Sequence, residues 1–259
     1  MKKKLAGTMF VYNAVSQDYC FTESVKSLLE FCNAVYIVNA GSTDATNEAI
    51  YKLMWDNENI SVHSTSNQEW HRHKGKEKLS HFTNIAIEMA EKDGFEYVFN
   101  LQADEIVHES SYKYIEEAIM SGTDSFMSKR INLWGSPFTM LDVPQHRKPC
   151  STEIVRLAKS SYRAYDDAES LGDTQNGSFV NTKYLEDIRI YHMGFVRDRK
   201  IHPNKIRHMQ AEVFNVGVDT KLDGMEVFDP YAWFSKEDLK PISEPLPQLI
   251  QTWALQRMY

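Results

Sequence analysis

The segment Tyr97-Val98-Phe99-Asn100-Leu101-Gln102-Ala103-Asp104-Glu105 joins a short run of β-forming residues to a polar tetrapeptide with two adjacent carboxylates. Its first part reads as a buried strand, and the tetrapeptide as what that strand delivers at its carboxyl end. Upstream, Phe82, Ile85, Ala86, Met89 and Ala90 recur at helical spacing, with Ser80 as the expected N-cap and Gly94 as the stop. The same alternation runs back to the start of the chain. Leu5–Val11 and Ala34–Val38 read as strands, and Ile60–His63 as a weaker one. Phe21, Val25, Leu28 and Leu29 mark one helix between them, and Gly41-Ser42-Thr43-Asp44 opens another that continues through Met54.

Strands alternating with helices imply βαβ units, an α/β class and a Rossmann-like, mostly parallel sheet flanked by helices. In such sheets ligands bind beyond the carboxyl ends of the strands. That rule selects Tyr12–Ser16, Asn39–Asp44 and Gln102–Glu105, all rich in polar side chains. The second half is expected to be more irregular but to contain further sheet. Ser125–Leu133, Glu153–Leu157 and Ile188–Tyr191 read as strands, joined by loops carrying Trp134, Pro137, Pro144 and Pro149. Ser235-Lys236-Glu237-Asp238 reads as a capping box and Leu246–Met258 as a closing helix.

Composition narrows the function classes. The 259 residues contain no apolar run of the ~18 residues a membrane span requires. Met1-Lys2-Lys3-Lys4 is followed by a stretch too short and polar for a secretory signal, and a cytoplasmic address is expected. Cys20, Cys32 and Cys150 are scattered without a C-x-x-C pair, so neither a zinc knuckle nor a disulfide framework is indicated. A net charge of -7 argues against a chain-wide nucleic-acid footprint. Basic residues still cluster at His71–Lys78, His146–Lys148 and Arg197–His208. They are either solvated surface or the walls of a site for an anion such as a diphosphate.

Two carboxylates at the mouth of a parallel sheet repel unless a cation or partner sits with them. Asp104 and Glu105 could hold Mg²⁺ or Mn²⁺, which favour carboxylates together with substrate phosphates. The alternative is an ordinary first turn of a helix, where acidic residues are also favoured.

The order of four segments separates these readings. Val11-Tyr12-Asn13, Val38-Asn39-Ala40-Gly41-Ser42-Thr43-Asp44-Ala45-Thr46, Thr83-Asn84-Ile85-Ala86 and Leu101-Gln102-Ala103-Asp104-Glu105 together resemble glycosyltransferase family two, the GT-A group, over Leu5 to Glu109. The resemblance implies a nucleotide-sugar donor held by Val11, Tyr12, Asn39, Gly41, Ser42, Asp44, Lys78, Gln102 and Ala103. Asn39 stands where the family usually has Asp, and Gln102 replaces the first Asp of D-x-D. Asp104 is then the expected metal carboxylate, for Mn²⁺ or Mg²⁺. Residues 1–109 become the donor-binding half, and 110–259 an acceptor-binding half of the same domain.

Tyr191-His192-Met193-Gly194-Phe195-Val196-Arg197-Asp198 resembles the H-x-G-x-x-R-D segment of related transferases. By that analogy His192 completes the metal site and Arg197 clamps the diphosphate, for which a planar guanidinium is suited; a structural histidine is the other reading. An inverting transfer needs one carboxylate base. Asp166-Asp167-Ala168-Glu169-Ser170 supplies it or is a polar surface loop, with Asp167 first, then Asp166 and Glu169. Trp134 either floors the acceptor subsite or packs internally. The expected acceptor is a glycan or other hydroxyl; the alternative is a modified base in DNA, whose backbone the Arg197–His208 cluster would suit. A nucleotidyltransferase or an inactive binding protein of the same fold are the competing functions.

Overall fold

The structure, a computed structural model, describes residues 4–173, 178–179 and 181–257. Four parallel strands come first: β1 (Leu5–Val11), β2 (Ala34–Asn39), β3 (Ile60–Ser64) and β4 (Tyr97–Asn100), in the spatial order β3-β2-β1-β4. Helices connect them: α1 (Phe21–Leu29), α2 (Thr46–Asp56), and the pair α3 (Asn67–Arg72) and α4 (Glu77–Lys92). β1, β2 and β4 are buried almost throughout because both sheet faces are covered there, whereas the edge strand β3 is mostly exposed. Leu5, Met9, Val35, Ile37, Tyr97 and Phe99 share one core with Val25, Leu28 and Ile50 of α1 and α2. Their alternates Ala6, Tyr36 and Val98 pack with Ile87 and Ala90 of α4 on the opposite face. The expected α/β, Rossmann-like arrangement is therefore present, in keeping with the GT-A type.

The second half extends the same sheet. Its elements are β5 (Glu105–Val107), α5 (Tyr112–Met120), β6 (Ser125–Trp134), β7 (Ser136–Leu141), β8 (Glu153–Lys159), β9 (Arg163–Ala164), β10 (Leu171–Gly172), β11 (Thr182–Phe195), α6 (His202–His208), β12 (Leu239–Pro241) and α7 (Gln248–Leu255). β8 joins β4 antiparallel, and β6 joins β8 antiparallel. The far edge of β6 carries the parallel β11, which in turn pairs antiparallel with β5. β7 and β12 extend the sheet beyond β6, while β9 and β10 form a separate ribbon. Sheet hydrogen bonds thus run continuously from residues 5–107 into the second half.

Several local expectations change. The α4 helix begins at Glu77, and Ser80 bonds back to the Glu77 carbonyl instead of capping it. Gly75, at φ +59, turns the chain into the helix one residue before Lys76. Gln102–Glu105 is no helix start: it is a tight turn, closed by the Glu105 N–H on the Gln102 carbonyl, that enters β5. Trp134 and Pro137 sit in strands β6 and β7, not in loops, and β11 is far longer than Ile188–Tyr191. The capping box at Ser235–Asp238 forms on a single 3-10 turn. The closing helix is Gln248–Leu255, and Met258 lies outside the described residues. Among the described residues no helix is long and apolar enough to cross a membrane.

Candidate active site at the carboxyl end of β4

Asp104 ends the turn that β4 delivers, and β11 fixes what faces it. His192 is the register partner of Glu105 across the β5–β11 ladder, and the Met193 N–H donates to the Asp104 carbonyl. This pairing brings His192 Nε2 to 3.7 Å from Asp104 Oδ1. On its other edge His192 is in register with Asn132 of β6, and Nδ1 lies 2.9 Å from Asn132 Oδ1. The Asn132 amide NH₂ is committed to the carbonyls of Cys150 and Ser151, so its oxygen must face the imidazole. His192 therefore donates from Nδ1 and presents an unprotonated Nε2 to Asp104. Burial, reinforced by the Arg130 charge, pushes its pKa well below the ordinary value and keeps the ring neutral.

A lone pair and a carboxylate that face each other with no proton between them suit a shared cation. Gly194 keeps that space open: a Cβ there would lie 2.4 Å from His192 Nε2 and 3.4 Å from Asp104 Oδ2. Oxygen and imidazole donors fit Mn²⁺ in particular, so the residues present are compatible with the expected cation.

Glu105, the second acid of the motif, does not join this pair. Its side chain is fully buried, and Oε1 is 2.7 Å from Arg156 and 3.3 Å from Arg130. Its Oε2 accepts the Gln102 N–H, which closes the turn under Asp104. Burial would raise the Glu105 pKa, but the two guanidinium charges outweigh it and hold it low. Arg130 continues to Glu169, whose carboxylate also accepts from the Ser151 N–H and hydroxyl. Burial is again outweighed by Arg130 and these hydrogen bonds, leaving Glu169 at about 2. The partner that separates the two acids is thus an internal arginine pair. Arginines within the apolar strand runs Ser125–Trp134 and Glu153–Lys159 were the available signal, since buried guanidinium groups demand internal counter-charges.

The Asp104–His192 pair opens into a cavity of about 630 Å³. Of the residues expected from the sequence, Val11, Tyr12, Gln102, Ala103 and Asp167 line it. Tyr12 stacks on Trp70, with centroids 4.0 Å apart and planes at 11°. The Trp70 ring lies 5.6 Å from that of Phe82 on α4, so the slab is backed by the core. Lys205 of α6 also lines the cavity and has no hydrogen-bonded or ion-paired acceptor among the described residues. Burial and the nearby Arg197 charge lower its pKa to about 8, against the opposing pull of Asp104. Lys205, Trp70 and Asn132 were not singled out from the sequence. Lys205 was hidden within its basic cluster, and the other two acquire their roles only through packing.

Other expected residues lie behind the cavity. Asn39 does not line the cavity; its amide donates to Asn47 and accepts from the Ser42 N–H. The Ser42 hydroxyl accepts the Asn13 N–H, and Asp44 accepts from the Ser16 and Thr46 N–H groups. Gly41, at φ +81, passes so near α3 that a Cβ would be 2.4 Å from the Asn67 nitrogen. These four residues shape the loop after β2, and Ser42 and Asp44 tie it to the loop after β1. Lys78 is buried over the Trp70 ring and donates to the Glu212 carbonyl. Arg197 is 2% exposed, bonds the Gln17 and Gly194 carbonyls and lies 3.6 Å from Asp104 Oδ2, a brace for the carboxylate rather than an exposed clamp. Trp134 is 3% exposed in an aromatic cluster with Phe195, Phe228 and Phe234, its indole N–H on the Pro230 carbonyl, which corrects the acceptor-floor reading.

The acidic segment is anchored at both ends. Asp166 and Ala168 adopt left-handed backbone, at φ +49 and +56, which is uncommon for residues with a Cβ. The Ala168 carbonyl accepts from Arg156, and Glu169 is held by Arg130. Asp166 points outward and pairs with Lys76 at 3.2 Å, while Asp167 reaches the cavity, 3.6 Å from the same lysine.

No protein-family model matches the chain, and no curated protein matches its sequence. Among solved structures, residues 1–349 of S. aureus TarS match with a TM-score of 0.47 at 17% identity, over 85% of this chain and 69% of that one. The same TarS fragment in complex with UDP gives 0.49 at 15% identity, with the same coverage. The mannosyltransferase PcManGT from Pyrobaculum calidifontis, in complex with GDP-Man and Mn²⁺, gives 0.48 at 15% identity, over 81% of this chain and 62% of that one. Each is a distant likeness in overall fold.

Proposed function

We propose that the chain is a GT-A-type glycosyltransferase that moves a sugar from a nucleoside-diphosphate donor, uridine diphosphate first among them, to an acceptor hydroxyl with inversion. The observation that carries this reading is the unprotonated His192 Nε2 facing the Asp104 carboxylate at the end of β4, 3.7 Å away. The motif order over Leu5–Glu109 agrees with it. Asp104 and His192 would hold Mn²⁺ or Mg²⁺, which when bound neutralises charge on the diphosphate.

The remaining work falls to the chain. Tyr12, backed by Trp70, offers a flat apolar face to the base. Lys205, which has no hydrogen-bonded or ion-paired acceptor among the described residues, adds a cation to attract the diphosphate. Asp167 takes the acceptor proton as the acceptor oxygen bonds to the anomeric carbon and the bond from that carbon to the diphosphate oxygen breaks. Lys76 and the Glu169 N–H hold the Asp167 carboxylate in place.

Incubation with nucleotide sugars and Mn²⁺ should release nucleoside diphosphate, and chelation or Asp104→Asn should stop it in a protein of unchanged fold. Release of pyrophosphate from a nucleoside triphosphate and sugar phosphate would instead establish a nucleotidyltransferase. Wild-type turnover by Asp104→Asn would remove the metal-site assignment.

A further inference from the structure

A second cluster of metal-ligating side chains lies outside the cavity. Glu69 on α3, His73 just after it and His81 on α4 place one potential ligand atom each within 4.8 Å of one another. Among the described residues this is the one group of three or more His, Cys, Asp or Glu side chains that does so. None of the three lines the cavity. His81 Nε2 lies 3.4 Å from Glu69 Oε1, and the two imidazole rings stack with centroids 3.8 Å apart.

The backbone presets this arrangement. The Ser66 hydroxyl accepts the Glu69 N–H and fixes the first turn of α3, and His73 follows as the residue that ends the helix, four positions beyond Glu69. Gly75 reverses the chain, and α4 then carries His81 back over them. All three side chains are half-buried, so they are partly ordered yet reachable by a cation.

We propose that Glu69, His73 and His81 form a binding site for a zinc-like divalent cation, separate from Asp104 and His192. Two imidazoles and one carboxylate are a donor set for Zn²⁺, with a fourth position left for water, and a poor one for Mg²⁺. The cation bridges α3 to α4. The cluster adjoins the aromatic slab: His81 and His73 sit 4.9 and 6.0 Å from the Phe82 ring, which packs on Trp70. The bridge therefore steadies the helix pair that supports Tyr12.

The experiment is a calorimetric titration with Zn²⁺ alone, on metal-stripped wild type, on Asp104→Asn, and on the double variant His73→Ala, His81→Ala. A four-coordinate Co²⁺ absorption spectrum serves as a second readout. Wild type and Asp104→Asn should share one Zn²⁺ event and the Co²⁺ spectrum. The double variant should lose both, weakening the event by at least the ~10-fold that even an outer-shell change costs. Circular dichroism with chelator present checks that the variant is folded. Equal Zn²⁺ affinity and stoichiometry in wild type and double variant would overturn the site. So would loss of the event in Asp104→Asn alone, which would place the zinc in the cavity.

Discussion

Asn132 Oδ1 and His192 Nδ1 are 2.9 Å apart on neighbouring parallel strands, and this contact decides which imidazole nitrogen faces Asp104. Replacing Asn132 by Leu removes the acceptor and leaves the Nδ1 proton without its partner. Mn²⁺ affinity should fall by about 10- to 100-fold, the usual cost of losing such an orienting bond. Asn132→Asp keeps an acceptor oxygen and should recover part of the loss. Manganese titration followed by electron paramagnetic resonance checks both, and unchanged affinity in Asn132→Leu would mean the tautomer is set elsewhere.

Asp167 and Asp166 share Lys76 but differ in direction. Only Asp167 lines the cavity, while the Asp166 side chain is 68% exposed. Asp167→Asn should lower kcat by about 10²- to 10⁴-fold with donor affinity near wild type, whereas Asp166→Asn should change little. Steady-state kinetics separates the two, and product stereochemistry by NMR should show inversion. A retained configuration would exclude the single displacement.

Lys205 supplies a pH dependence whose sign is set by charge. In the free protein its pKa is lowered to about 8, so it is cationic at neutral pH and loses that charge as pH rises through about 8. Nucleoside diphosphate should therefore bind more weakly above that pH. Lys205→Met should bind it weakly throughout and lack this limb. Calorimetry from pH 6.5 to 9.5 measures it, and an identical limb in Lys205→Met would reassign the titration.

Glu169 and Glu105 both have folded pKa values below the ordinary 4.5, Glu169 at about 2. For a depressed carboxylate the stability is fully present above the unfolded value and is lost as pH falls toward the folded one. Thermal stability should decline between pH 4.5 and 2, and less steeply in Glu169→Gln. Glu105→Gln leaves Arg156 and Arg130 short of a buried counter-charge and should cost about 3–5 kcal/mol at neutral pH. Denaturant melts across pH test both; equal slopes for Glu169→Gln and wild type would remove Glu169 from the acid transition.

Much of the first half was legible because its signals are local. Burial on both faces of β1, β2 and β4 leaves apolar runs, and helical spacing at Phe82–Ala90 survives whatever the helix packs against. The place of Asp104 just beyond β4 was legible too, from the strand-end rule together with the order of the four segments. Boundaries were less so. Ser80 has the chemistry of a cap, yet the turn at Gly75, whose positive φ suits glycine, starts α4 earlier.

The sequence by itself determined the parallel α/β half and the position of Asp104 just beyond β4, whereas His192, expected at a strand end, lies within β11. Only the tertiary structure decided that Glu105 turns inward to Arg130 and Arg156, that Asn39 bonds to Asn47 of α2, and that Trp134 belongs to the core. The reason is physical. Periodicity reports whether a side chain is buried, but the partner of a buried charge or amide comes from strands far apart in sequence. Asn132 meets His192 sixty residues away through the β6–β11 register, and a one-residue slip in that register would turn every side chain on the strand to the other face.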